Sequence, residues 1–174
     1  MAKREALREL QTRLAERLAA ARTHQRAAAW LAVECRGHGL LFPLQQAGEI
    51  FSLLPVLPVP HTHAWFAGVA NLRGGLYGVV DLAAFLGMVG AGSEGGREQG
   101  HLVALNASLG LNCALLVDRL AGLRSAEQLH CEEPADSSKP AFAGGRWRDA
   151  NGRRWQEIVL SSLAEDERFL RVAG

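Results

Sequence analysis

From Trp30 onward the sequence breaks its apolar residues into short runs separated by glycine and proline, and this punctuation constrains the fold more than any other feature. Runs of about four to eight apolar residues bounded by turn formers suit β-strands, whereas an amphipathic helix needs a longer stretch at a period of about 3.6. Trp30 to Cys35 and Leu40 to Leu44 flank Gly37-His38-Gly39, a glycine pair suited to a tight turn, so a hairpin is expected there. Phe66 to Asn71 and Leu76 to Asp81 are strand-like on either side of Gly74-Gly75, and His101 to Asn106, Asn112 to Val117 and Leu120 to Leu129 continue the pattern. Asn151-Gly152, between Trp147 and Trp155, predicts a further hairpin because both residues tolerate the positive φ of a type I′ turn. Turn signals every ~8 to 12 residues favour a sandwich or barrel over a parallel sheet. The expectation is an all-β fold of small barrels with flanking terminal helices.

Ahead of this region Leu7, Leu10, Leu14 and Leu18 mark one stripe of a helix, with Glu9 and Arg13 as an i,i+4 pair. The stripe is narrow and its surroundings polar, so the helix must lean on its own domain or on a partner. Gln45 to Phe51 suggests one or two helical turns, after which Pro55, Pro58 and Pro60 keep the chain extended. Asp81 can cap a short helix over Leu82 to Leu86 that Gly87 closes. Six of the nineteen glycines fall between Gly87 and Gly100, which reads as a link between two β units. Ser162-x-x-Glu165 has capping-box spacing and predicts a closing helix to about Val172. The expected organisation is a helical extension over 1–28, a domain over 29–160 and a helix over 161–174. Within the domain the first barrel is expected over about 29–87, the linker over 88–100 and the second barrel over about 101–160.

At 174 residues and 48% hydrophobic the chain can bury a core without disulfide, metal or cofactor. Its apolar stretches, such as Leu53 to Pro60, are shorter than the ~20 residues of a membrane span. The opening Met-Ala-Lys-Arg-Glu lacks the apolar core of a signal peptide, which predicts residence in the cytoplasm. Cys35, Cys113 and Cys131 show no CxxC spacing and read as buried thiols. A formal charge of +1 gives no field for nucleic acid. His61-Thr62-His63 supplies two metal ligands, too few alone, so the metal-dependent hydrolase that it suggests is the weaker reading. Gly90 to Arg97 lacks the Lys-Ser/Thr of a phosphate-binding loop, and no nucleophile elbow occurs, so no catalytic residue is assigned. Arg146, Arg148, Arg153 and Arg154 around Trp147 and Trp155 have the chemistry to stack on nucleic acid, yet strand alternation would turn the tryptophans inward and leave a solvated arginine face.

The run Phe66-Ala-Gly68-Val-Ala-Asn71-Leu72-Arg73-Gly74-Gly75-Leu-Tyr-Gly-Val-Val-Asp81-Leu82 resembles the signature of CheW-like domains, G-V-x-N-x-R-G followed by a strand and V-D-L. Trp30 to Cys35, Phe42-Pro43-Leu44 with Glu49-Ile50, and Leu115 to Leu120 are similar to further elements of that family, so the resemblance spans about residues 30–160. Ala47 and Gly48 depart from it, being smaller than the residues that the family usually places before its E-I pair. The N-terminal leucine helix and Leu163 to Val172 look like the PilI branch, which serves type IV pilus chemosensory systems. The resemblance implies two SH3-like five-stranded β-barrels that act as a non-catalytic adaptor, binding a chemoreceptor's cytoplasmic tip and a CheA-type histidine kinase at membrane-associated receptor arrays. The output would be twitching motility, with a flagellar chemotaxis array as the alternative. By position, Glu49, Gly68, Asn71, Arg73 and Gly74 are expected on the receptor face. Leu53, Leu54 and Val56, in a proline-bounded segment, are expected on the kinase face, with packing into the core as the alternative. Glycine beside an arginine at a strand-to-turn junction can fix a guanidinium for a partner's carboxylate or carbonyl, or for an internal brace.

Overall fold

The computed structural model describes residues 2–89 and 100–174, with side chains at 5–20, 29–89 and 100–174. Helix α1 (Ala2–Ala27) runs straight into β1 (Ala28–Cys35), which turns back as β2 (His38–Pro43). Then come β3 (Ala47–Ser52), β4 (Phe66–Leu72), β5 (Gly75–Asp81), α2 (Leu82–Phe85), β6 (His101–Leu105) and β7 (Cys113–Val117). The chain finishes with β8 (Arg119–Ser125), β9 (Leu129–Glu133), β10 (Ala143–Asp149), β11 (Arg154–Ile158), α3 (Leu160–Leu163) and α4 (Glu167–Leu170). The fold is all-β with flanking helices, as the punctuation predicts.

The strands form a six-stranded sheet in the order β8-β1-β2-β11-β10-β9 and a five-stranded sheet in the order β3-β6-β7-β5-β4. Only Ala126–Gln128 separates the edge strands β8 and β9, so that sheet must curl round at this corner. The five-stranded sheet is drawn closed by the segment after β3, which bridges Leu57 to Val69 of the opposite edge strand. Closure of this kind protects sheet edges from foreign pairing. One sheet thus has six strands where five were expected.

Sheet membership corrects the expected division of the domain into 29–87 and 101–160. β1 and β2 join β8 to β11, while β3 to β7 form the other sheet and straddle the glycine-rich linker, of which 90–99 lie outside the described residues. The crossings are short: Leu44 to Gln46 leads from β2 to β3, and Asp118 alone separates β7 from β8. The Asp118 backbone N–H donates to the Glu34 carbonyl at 2.9 Å, and its carboxylate accepts from the Arg36 backbone N–H, which pins the crossing to the β1–β2 turn.

Strands buried on both faces explain why the apolar runs are nearly continuous. Along β1, Leu31, Val33 and Cys35 enter the main core between the sheets, while Trp30 and Ala32 turn into a second cluster with Leu41, Leu129 and Trp155. Along β7, Cys113, Leu115 and Val117 face the shared core, and Ala114 joins Ala70, Leu72, Val79 and Leu102 inside the five-stranded sheet. The two buried tryptophans keep their polar handles satisfied: Trp30 Nε1 donates to Glu157 Oε1 at 2.7 Å and Trp155 Nε1 to Asp149 Oδ2 at 3.0 Å.

Local expectations differ in their fate. Asp81 caps α2 by accepting from Ala84 N at 3.0 Å, and Gly87 follows at φ 65°. The first hairpin turns at Arg36-Gly37, both at positive φ. Gln45 to Phe51 is not helical but contributes β3, because β6 satisfies its backbone, and a Cβ on Gly48 would stand 2.8 Å from the Leu105 carbonyl oxygen. The Asn151-Gly152 turn is longer than the two-residue form. Asp149 accepts from the backbone N–H groups of Asn151 and Arg153, so only Gly152 takes positive φ. The single closing helix is instead split into α3 and α4, because the Asp166 side chain accepts from Arg168 N and Phe169 N and starts a new helical turn.

Candidate functional site

Arg73 at φ 48° and Gly74 at φ 84° form the two-residue turn between β4 and β5, with both central residues in the left-handed region of a type I′ turn. Such a conformation costs a non-glycine residue roughly 1–3 kcal/mol, and two contacts accompany it here. Asn71 Oδ1 accepts from Gly74 N at 2.8 Å, and the Arg73 guanidinium pairs with Glu49 of β3. The Arg73 side chain remains 76% exposed, so most of its five donors face solvent. The pair adds little to stability at such exposure. Its effect is to aim the guanidinium and to tie β3 to the opposite edge of its sheet.

Asn71, Arg73, Gly74 and Glu49 therefore lie together at the surface. Gly68 does not: it is buried, at φ 137°, and a Cβ there would come within 2.1 Å of the Leu57 carbonyl oxygen. Its place on a contact face is corrected. Gly68 lets the segment after β3 cross β4, where Leu57 N donates to Val69 O at 2.8 Å and Val69 N to Leu57 O at 2.9 Å.

Within that crossing segment Leu53 and Val56 pack against the core of the five-stranded sheet, and only Leu54 of the three is exposed. Sequence reasoning missed the larger apolar exposures nearby, Leu57 at 69% and Leu76 at 66%, with Ile50 beside Glu49. Leu76 stands directly across from Asn71 in the β4–β5 pairing. A two-residue turn at Arg73-Gly74 would have revealed it, because buried Leu72 then faces Gly75, and Asn71 and Leu76 share the outer face.

The other candidates do not assemble chemistry. Residues 61–63 run beside the C-terminal tail, with Thr62 bridged to Ala173, and the His63 ring stacks on Trp65 at 5.4 Å. No cluster of three or more metal-ligating side chains occurs among the described residues. In the β10–β11 hairpin Trp155 is buried and Trp147 packs on Trp30 at 4.9 Å. The arginines are matched by carboxylates: Arg146 with Glu133, Arg148 and Arg154 with Glu132, and Arg153 with Glu34. Burial alone would raise the Glu34 carboxyl, but hydrogen bonds from Arg153 and Arg119 outweigh it and hold the group below its ordinary range. Cys35 and Cys113 are buried, and desolvation pushes each thiol up to about 12, with the Asp118 charge adding to the shift at Cys35. Cys131 is exposed, which corrects the expectation that all three are buried. No helix among the described residues is long and apolar enough to cross a membrane.

Fold and surface together define a β domain that presents an exposed cation beside exposed apolar side chains. Residues 29–168 match the CheW-like domain, and the chain belongs to that family, whose members are non-enzymatic scaffold adaptors of chemotaxis-type signalling. The chain is 28% identical over 152 residues to Protein PilI of Pseudomonas aeruginosa, covering 83% of this chain and 80% of that protein. Its fold is similar to that of the scaffolding protein TtCheW from Thermoanaerobacter tengcongensis, with a TM-score of 0.61, 17% identity and coverage of 76% of this chain and 88% of that one.

Proposed function

We propose that this chain is the cytoplasmic adaptor that couples a chemoreceptor's helical tip to a CheA-type histidine kinase in a type IV pilus chemosensory pathway. The observation that carries the reading is the open guanidinium of Arg73, held by the Asn71–Gly74 turn and Glu49, with Leu76 across from Asn71. A rigid planar fork beside an apolar side chain suits docking onto a receptor helix that offers a carboxylate or carbonyl next to an apolar contact. On this reading Glu49, Asn71, Arg73 and Gly74 form the receptor face, with Gly68 supporting it from beneath. Leu54 presents the kinase face, and Leu53 and Val56 anchor its segment from below. The similarity to Protein PilI supports pilus output.

Reconstitution tests this directly. Receptor tip and kinase regulatory domain co-purify only when the chain is present, and Arg73→Glu abolishes receptor capture while the fold survives. Retained capture by that variant removes Arg73 from the site.

A further inference from the structure

Helix α1 lies outside the residues that match the family, and its leucine stripe is uncovered. Leu7, Leu10, Leu14 and Leu18 are each more than half exposed along a 26-residue helix. Their 3-4-4 spacing closes an eleven-residue repeat, which keeps a seam nearly parallel to the helix axis. At about 100° per residue the four leucines occupy only about 80° of the circumference, the width of a helix-pairing seam.

The charges around this seam are segregated. On the same geometry Arg8 lies to one side of the leucines, and Arg13 and Arg17 to the other, whereas Glu5, Glu9 and Glu16 all fall on the opposite face. Arg13 is tethered from behind by Glu9 at 3.0 Å, and both side chains are largely exposed. A second copy is a poor occupant, because parallel or antiparallel pairing would set arginine flanks against arginine flanks. A lipid surface fits less well, since the apolar side is narrow and α1 contains no Trp, Tyr or Phe to seat in an interface.

From the exposed seam and its cationic flanks we infer that α1 is a docking helix for a partner protein's helix, one with a leucine seam flanked by Glu or Asp. Flanking charges of opposite sign select partner and register in paired helices, and the leucines supply the buried area. This surface is independent of the Arg73 face, so the two readings stand or fall separately.

Titration calorimetry of the full chain with a synthetic helical peptide tests the inference. The peptide has leucines at 3-4-4 spacing and glutamates on both flanks; its twin has lysines there. The expected result is a one-to-one complex with the glutamate peptide alone, weakened by added salt. Leu10→Ala and Leu14→Ala each weaken it about tenfold. The double variant R8E/R17E shifts the preference toward the lysine peptide while thermal unfolding of the β domain is unchanged. Four outcomes overturn the inference: binding to neither peptide, equal binding to both, self-association of the chain that Leu14→Ala abolishes, or binding to phosphatidylcholine–phosphatidylglycerol vesicles that the same change abolishes.

Discussion

Replacing Gly68 by alanine tests whether the crossing of β4 by the segment after β3 is as tight as the structure requires. The three atoms nearest the added methyl would all be backbone: the Leu57 carbonyl oxygen at 2.1 Å, its carbon at 2.7 Å and Pro58 Cα at 3.0 Å. None of these three atoms belongs to a flexible side chain that could yield. A φ of 137° costs a non-glycine residue roughly 1–3 kcal/mol. Pushing Leu57 away loses both of its backbone hydrogen bonds with Val69, at about 1 kcal/mol each. The expected loss is therefore about 3–5 kcal/mol, a large part of the roughly 5–15 kcal/mol that holds a domain folded. At roughly 2–4 °C per kcal/mol for a chain of this size, Tm falls by about 6–20 °C. Gly74→Ala is the matched control, since φ is 84° there but no atom beyond the adjoining residues lies within 4 Å of the added methyl, and about 1 kcal/mol is expected. Urea unfolding of both variants, with m-values compared, separates strain from clash. A Gly68→Ala protein no less stable than Gly74→Ala would refute the reasoning.

Two further expectations follow from titratable groups. Glu34 has a folded-state pKa below its unfolded value, so its contribution is present above the ordinary carboxylate range and lost as pH falls through the lowered value. Glu34→Gln should cost about 1 kcal/mol at neutral pH and less in acid, which stability curves at two pH values would check. Of the cysteines, only exposed Cys131 should react with an aromatic disulfide reagent in the native protein, because burial holds Cys35 and Cys113 as thiols with values up to about 12. Cys131→Ser removes that fast reaction; a second fast thiol per chain would count against the burial.

Features set by local chemistry were readable from the sequence: the Asp81 cap and the existence of the β1–β2 and β4–β5 hairpins, although each turns one residue earlier than its glycine pair suggests, at Arg36-Gly37 and Arg73-Gly74. What escaped depends on residues far apart. The β2–β11 pairing that assembles the six-stranded sheet joins segments from opposite ends of the domain, and nothing in either announces the other. Gln45 to Phe51 carries a helical reading that the pairing of β3 with β6 overrides. The motif position of Gly68 points to the receptor face, yet its role is steric, because the backbone it admits comes from a proline-bounded loop whose path the sequence leaves open.

Legibility of the site follows from the same distinction, and it bears on how cleanly the Arg73 substitution can be read. Arg73 sits in a turn whose geometry Asn71 and Gly74 already fix, and its pairing with Glu49 is exposed. Exposed pairs contribute between nothing and about 1 kcal/mol, so Arg73→Glu places two carboxylates together at a surface where both can rotate into water. The fold should lose little, whereas a partner carboxylate or carbonyl that docks on the guanidinium meets a like charge or a missing donor, at a cost of several kcal/mol. That asymmetry lets loss of capture report on docking and not on unfolding, provided that the urea midpoint of the variant stays near that of the unmodified chain.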